Sequence, residues 1–93
     1  MRYDWDRAKS AENVRNHDGV HFGDAVGVLE DPYALTVPDR YPHEQRWNTV
    51  GRDFLDRVVF RCWTYAAPEV IRVISARRAT PRERRQYAED ADG

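Results

Sequence analysis

Cysteine, lysine and long apolar runs are what this sequence has least of. The single cysteine, Cys62, cannot close an internal disulfide, which fits a reducing cytoplasm. No apolar run approaches the roughly 20 residues of a membrane span. The opening Met1-Arg2-Tyr3-Asp4 has no apolar core of a signal peptide. Without a cysteine pair, a zinc site would have to be built from histidines. His17 and His21 stand four apart, but Gly19 between them ends a helix, so neither a metal nor another cofactor is expected. His43 lies in a Pro-bounded loop beside Glu44; it reads as exposed, with a general acid or base as the second reading. Lys9 is the one lysine against fourteen arginines. Arginine favours bidentate contact with carboxylate or phosphate, although a GC-rich genome gives the same bias. No repeat, linker or helix-turn-helix pattern occurs, and the net charge is -1. Both facts speak against a plain DNA-binding repressor.

What is present suits one domain over residues 1–93. Hydrophobic residues make up 41%, with three Trp, five Tyr and three Phe, which argues against disorder. A chain this short buries roughly 60–65% of the surface it exposes when unfolded, so its core is modest.

The elements read in order as strand, helix, helix, four strands, helix. Tyr3 to Trp5 is a short strand. Asp6 caps a helix from Arg7 to about His17, with Ala8, Ala11 and Val14 as its narrow apolar stripe. Asp4, two residues earlier, reads as a strand-end charge. Val20 to Glu30 is a second helix, in which Phe22, Ala25, Val26 and Leu29 form an apolar face, and Asp31-Pro32 stops it. Strands follow at Tyr33–Val37, Gln45–Val50, Arg57–Tyr65 and Val70–Ser75. Thr80-Pro81-Arg82-Glu83 has the pattern of a capping box with Pro at the first helical position. The last helix then spans Pro81 to about Glu89, and residues 90–93 form a loose tail. Short connections between the last four strands imply antiparallel neighbours. The expected fold is therefore α+β: a small antiparallel sheet of four to five strands, with two N-terminal helices and one C-terminal helix on one face.

Charge is concentrated near the end. Between Arg72 and Arg85 stand six arginines (72, 77, 78, 82, 84 and 85) and one acid, Glu83. A local charge this segregated suggests a surface that meets an anion such as nucleic acid. With period two, Ile71, Val73 and Ser75 share one face, and Arg72 shares the other with Val70 and Ile74. The neighbouring strand supplies either Arg61, Trp63 and Tyr65 or the Val58–Thr64 set, depending on register. Arginines beside aromatic rings on an open sheet face make a platform for single-stranded RNA. Trp5 and Trp47 read as core or core edge, and Cys62 as buried packing.

The segment RVISARRATPRERRQY resembles the C-terminal motif of the BrnT family, the toxin half of a type II toxin–antitoxin pair. YDWDRAKSAENVRNH followed by VHF resembles the family's start, EDPYALTVPD its middle and HEQRWNTVGR its second strand region. The resemblance implies a RelE-like fold and a ribonuclease that cuts RNA without metal. Such cleavage needs a base for the 2′ proton, a cation to steady the phosphorane-like transition state and an acid for the leaving oxygen. Arg72, Arg77 and Arg78 are candidates for the cation. By motif, Ser75 and Tyr87 join them as candidate catalytic residues. Arg46, Arg57, Arg61, Trp63, Arg82 and Arg85 are candidate RNA-binding residues. Many relatives carry a basic residue where this chain has Ala66-Ala67-Pro68, which would make it a weaker enzyme if that side chain helps catalysis. The implied partner is a BrnA-like antitoxin with a DNA-binding region, in a heterotetramer of two toxins and two antitoxins that represses its own operon. Operator DNA is then met only through the antitoxin complex. The rival reading is a non-catalytic module whose arginine-rich corner docks an acidic partner or RNA.

Overall fold

The computed structural model describes residues 1–16 and 19–92. Five strands form one sheet: β1 (Arg2–Asp4), β2 (Leu35–Pro38), β3 (Trp47–Arg52), β4 (Val58–Ala67) and β5 (Val70–Arg78), in the spatial order β1-β5-β4-β3-β2. β2 to β5 pair antiparallel, as their short connections require, but β1 lies parallel to β5. The sheet is thus mixed. A helical excursion separates β1 from β2, so no hairpin dictates its direction. Pro38 ends β2 at the sheet edge, where a missing N–H costs no ladder bond.

Three helical regions accompany the sheet: α1 (Arg7–Asn16), α2 (Phe22–Ala25), which tightens into a 3₁₀ segment over Val26–Glu30, and α3 (Pro81–Asp92). Among the described residues no helix is long and apolar enough to cross a membrane. Asp6 caps α1 as expected, its Oδ1 accepting the Lys9 N–H at 3.0 Å. The expected stripe of Ala8, Ala11 and Val14 is not the buried one; Ser10 and Asn13 are. Ser10 Oγ accepts the Phe22 N–H at 3.0 Å. Asn13 Nδ2 donates to the carbonyls of Val20 and Ala76 at 2.8 and 2.7 Å. Buried polar groups need partners, and here they find open backbone groups where the chain enters α2 and crosses β5. The single helix expected over residues 20–30 tightens to 3₁₀ after Ala25, where the Asp24 carbonyl also accepts the Phe54 N–H of the β3–β4 turn at 3.2 Å. At Gly27, a Cβ would meet Phe54 N at 2.7 Å, so only glycine allows that turn to come so close.

Val20, Phe22, Ala25, Val26 and Val28 pack on Val59, Val73 and Ala76 of the sheet, with Tyr3 and Trp5 at the margin. α3 does not join them. Its Glu83 grips Arg77, whose strand partner Phe60 alternates with Val59 and so faces the other way. β5 also runs further than expected, so Arg77 and Arg78 stand on the strand and the corner shrinks to Ala79-Thr80. Residues 90–92 continue α3 rather than forming a tail, while His17 and Gly93 lie outside the described residues.

Asn13→Ala leaves two buried carbonyls without donors. A loss of about 2 kcal/mol in urea unfolding is expected; a change within about 0.5 kcal/mol, typical of a surface site, would refute the role given to this amide.

Candidate functional site

Strand register decides which arginines meet. Arg72 pairs with Thr64, Ser75 with Cys62 and Arg77 with Phe60. Thr64, Cys62 and Phe60 alternate along β4, so these side chains share one face. Ile74 is an extra residue, because Trp63 pairs with Val73 while Cys62 pairs with Ser75. This bulge moves Ser75 away from the side of Ile71 and Val73, where simple alternation put it, and onto that of Arg72. It also lets Val73 and Ala76 both reach the core.

A cleft of about 620 Å³ opens at the Arg72 end of this face. Its cations are Lys9, Arg46 and Arg72; its carboxylates are Asp4, Asp6 and Glu44, with Thr64 and Tyr65 between. Arg72 is exposed and donates from Nε and Nη2 to Asp4 Oδ2, at 3.3 and 3.0 Å. Arg46 donates from Nε to Glu44 Oε1 at 2.8 Å and lies 3.7 Å above the Tyr41 ring. The Glu44 bond raises the Arg46 pKa above its ordinary value. The loop that carries Arg46 is braced: Asp39 N–H donates to Arg46 O at 2.7 Å, Asn48 Nδ2 to Asp39 Oδ1 at 2.8 Å, and Thr64 Oγ1 to Gln45 O at 2.6 Å. Tyr65 is half exposed and meets Trp47 edge-on, with centroids 5.4 Å apart.

The other candidates lie elsewhere. Arg77 donates from both Nη atoms to Glu83 at 2.8 and 3.0 Å, and its guanidinium covers the Phe60 ring at 4.1 Å. Glu83 also closes the expected capping box: it accepts the Thr80 N–H at 2.8 Å, and its own N–H reaches Thr80 Oγ1 at 3.2 Å. Arg77 therefore ties β5 to α3. Tyr87 is buried, and its hydroxyl donates to Asp31. Burial and that bond push its pKa up to about 12. It anchors the middle of α3 and does not line the cleft.

Arg57 is held by Asp53 at 2.8 Å and approaches Asp24 at 3.9 Å. Arg61 is 0% exposed and has no access to a ligand. Its register partners Thr49 and Ala76 lie on the core side of the sheet, and Nη1 donates to Ala25 O at 3.1 Å. Burial drives its pKa down to about 10. Trp63 is buried on the same side, stacked on Trp47 at 4.9 Å, with Nε1 donating to Thr49 Oγ1. Neither Arg61 nor Trp63 stands on the sheet face of Arg72, because the register selects the Val58–Thr64 set as its neighbours. Arg78, Arg82 and Arg85 are exposed, with no carboxylate in ion-pair range among the described residues. Arg78 ends β5, and Arg82 and Arg85 stand on the first turns of α3.

A family profile described as the ribonuclease toxin BrnT of type II toxin–antitoxin systems matches residues 5–83. The chain belongs to the BrnT family. The fold agrees: the crystal structure of the Brucella abortus ribonuclease toxin BrnT superposes with a TM-score of 0.67 at 23% identity, over 86% of this chain and 97% of that one. No curated protein matches. Membership in a family of type II ribonuclease toxins brings an RNA substrate and a protein antitoxin as partner.

Sequence reasoning missed the role of Asp31 in this BrnT-family chain and read it only as a helix stop. Its carboxylate accepts the Tyr87 hydroxyl, the Arg52 N–H and the Tyr33 N–H. Burial works to raise its pKa, but these donors outweigh burial and hold it below its ordinary value. Glu83 is lowered as well, chiefly by the bond from Arg77. Carboxylates lowered on folding add stability that is present above their unfolded pKa values and lost as pH falls through the folded ones. Unfolding by urea is therefore expected to become easier below about pH 4. Tyr87→Phe should flatten that acid-side loss, and an unchanged pH profile would refute the Asp31 anchor.

Proposed function

We propose that this BrnT-family protein cuts RNA without a metal, by attack of a 2′-hydroxyl on the adjacent phosphate, with the Arg46–Arg72 cleft as the place of cleavage. The observation that carries this reading is convergence. Arg46 comes from the β2–β3 loop and Arg72 from β5, and both line one cleft beside the half-exposed Tyr65. Two guanidinium groups suit a phosphate whose charge grows in the transition state, and a ring beside them suits a base. Each arginine is paired with an exposed carboxylate, and such pairs are worth about 0–1 kcal/mol. A phosphate can therefore displace them. The exposed Arg78, Arg82 and Arg85 attract the RNA strand from outside.

The proposed partner is a BrnA-like antitoxin with a DNA-binding region, in a complex of two toxins and two antitoxins that represses its own operon in the cytoplasm. In the alternative reading, the chain binds RNA or an acidic partner without cleavage. The open cations at Arg78, Arg82 and Arg85 favour that reading.

Purified protein, at less than one equivalent, is expected to cut RNA in the presence of EDTA. Loss of cutting under chelation would reject the metal-free route, and binding without turnover would favour the alternative. Arg72→Ala should lower kcat by about 10²-fold without loss of fold, since its side chain is half exposed; full activity of this variant would remove Arg72 from the site.

A further inference from the structure

Metal-free cleavage needs a group that removes the 2′ proton. The cleft lining contains no histidine; besides Lys9 and Tyr65, its groups able to take a proton are the carboxylates Asp4, Asp6 and Glu44. Asp6 spends Oδ1 on the cap of α1. Asp4 occupies the Nε–Nη2 edge of Arg72. All three keep one carboxylate oxygen free, but Glu44 differs in its partner: it takes only Arg46 Nε, and Arg46 makes no hydrogen bond from Nη1 or Nη2 among the described residues. That leaves a free carboxylate oxygen beside a guanidinium whose outer edge is open. Arg46 is also fixed from below by the Tyr41 ring and from behind by the Asp39 and Thr64 braces. Glu44 itself is 45% exposed, so solvent can carry its proton away.

We infer that Glu44 is the general base of this cleft, working as one unit with Arg46. The inference rests on the metal-free reading given above. Arg46 Nη1 and Nη2 hold the non-bridging phosphate oxygens while Glu44 Oε2 takes the proton of the 2′-hydroxyl. The 2′ oxygen bonds to phosphorus, the P–O5′ bond breaks, and the 5′ oxygen takes a proton from water. The products are a 2′,3′-cyclic phosphate and a 5′-hydroxyl. Glu44 then returns its proton to solvent.

The experiment measures cleavage of a short RNA oligonucleotide in EDTA across pH, for the wild-type protein, Glu44→Gln and Glu44→Asp, with thermal melts as controls. Glu44→Gln is expected to melt like the wild type, lose kcat by about 10²-fold or more, keep KM within about threefold, and lose the acidic limb of the pH profile. Glu44→Asp should keep part of the rate and that limb. An unchanged kcat, or a raised KM with kcat intact, would overturn the assignment, the latter because it marks a residue that only orients Arg46. If the wild type releases no cyclic phosphate in EDTA, the metal-free reading itself falls, and this one with it.

Discussion

The extra residue at Ile74 sets the geometry on which the rest of this molecule depends. Without it, β5 would alternate strictly from Val70 to Arg78, and Val73 and Ala76 would lie on opposite faces. The core needs both, because α1 and α2 close over them. One inserted residue reconciles a continuous apolar contact on one side with Arg72, Ser75 and Arg77 on the other. The same strand thus carries a packing surface and a polar surface, and the pairing with β4 keeps them apart.

The basic residues divide by what surrounds them rather than by their place in the sequence. Arg61 is entombed and Arg57 is clamped by Asp53, so both serve the fold. Arg77 is committed to Glu83 and thereby to the start of α3. Arg46 and Arg72 are held by carboxylates at the surface, where a pair contributes little and water screens it. Such pairs orient a guanidinium without locking it, a useful state for a cation that must exchange one anion for another. Arg78, Arg82 and Arg85 are open and supply field rather than geometry. The cleft is charge-balanced, with three cations and three carboxylates, and the open arginines do not line it.

The helix start at Thr80–Glu83, the cap at Asp6, the alternation along β4 and the antiparallel run from β2 to β5 were all legible in the residues. Each rests on interactions between near neighbours. The parallel placement of β1, the extension of β5 to Arg78 and the split of the second helix were not. Each involves a partner distant in the chain, such as the Phe54 N–H that donates to the Asp24 carbonyl. Asn13 shows the same limit. An apolar stripe was expected on α1, and the helix instead buries an amide, because two backbone carbonyls elsewhere lacked donors.

The sequence by itself determined the element types, the family and the concentration of arginine near the C-terminus, since periodicity, caps and motifs are local properties of the chain. Only the tertiary structure decided which arginines line the cleft and which are buried. Strand register and one bulge fix the side to which a residue points, and these follow from how β4, β5 and the helices share a core. A shift of one residue in that pairing would swap the faces of Arg61 and Cys62 and turn the Arg72 side toward the core.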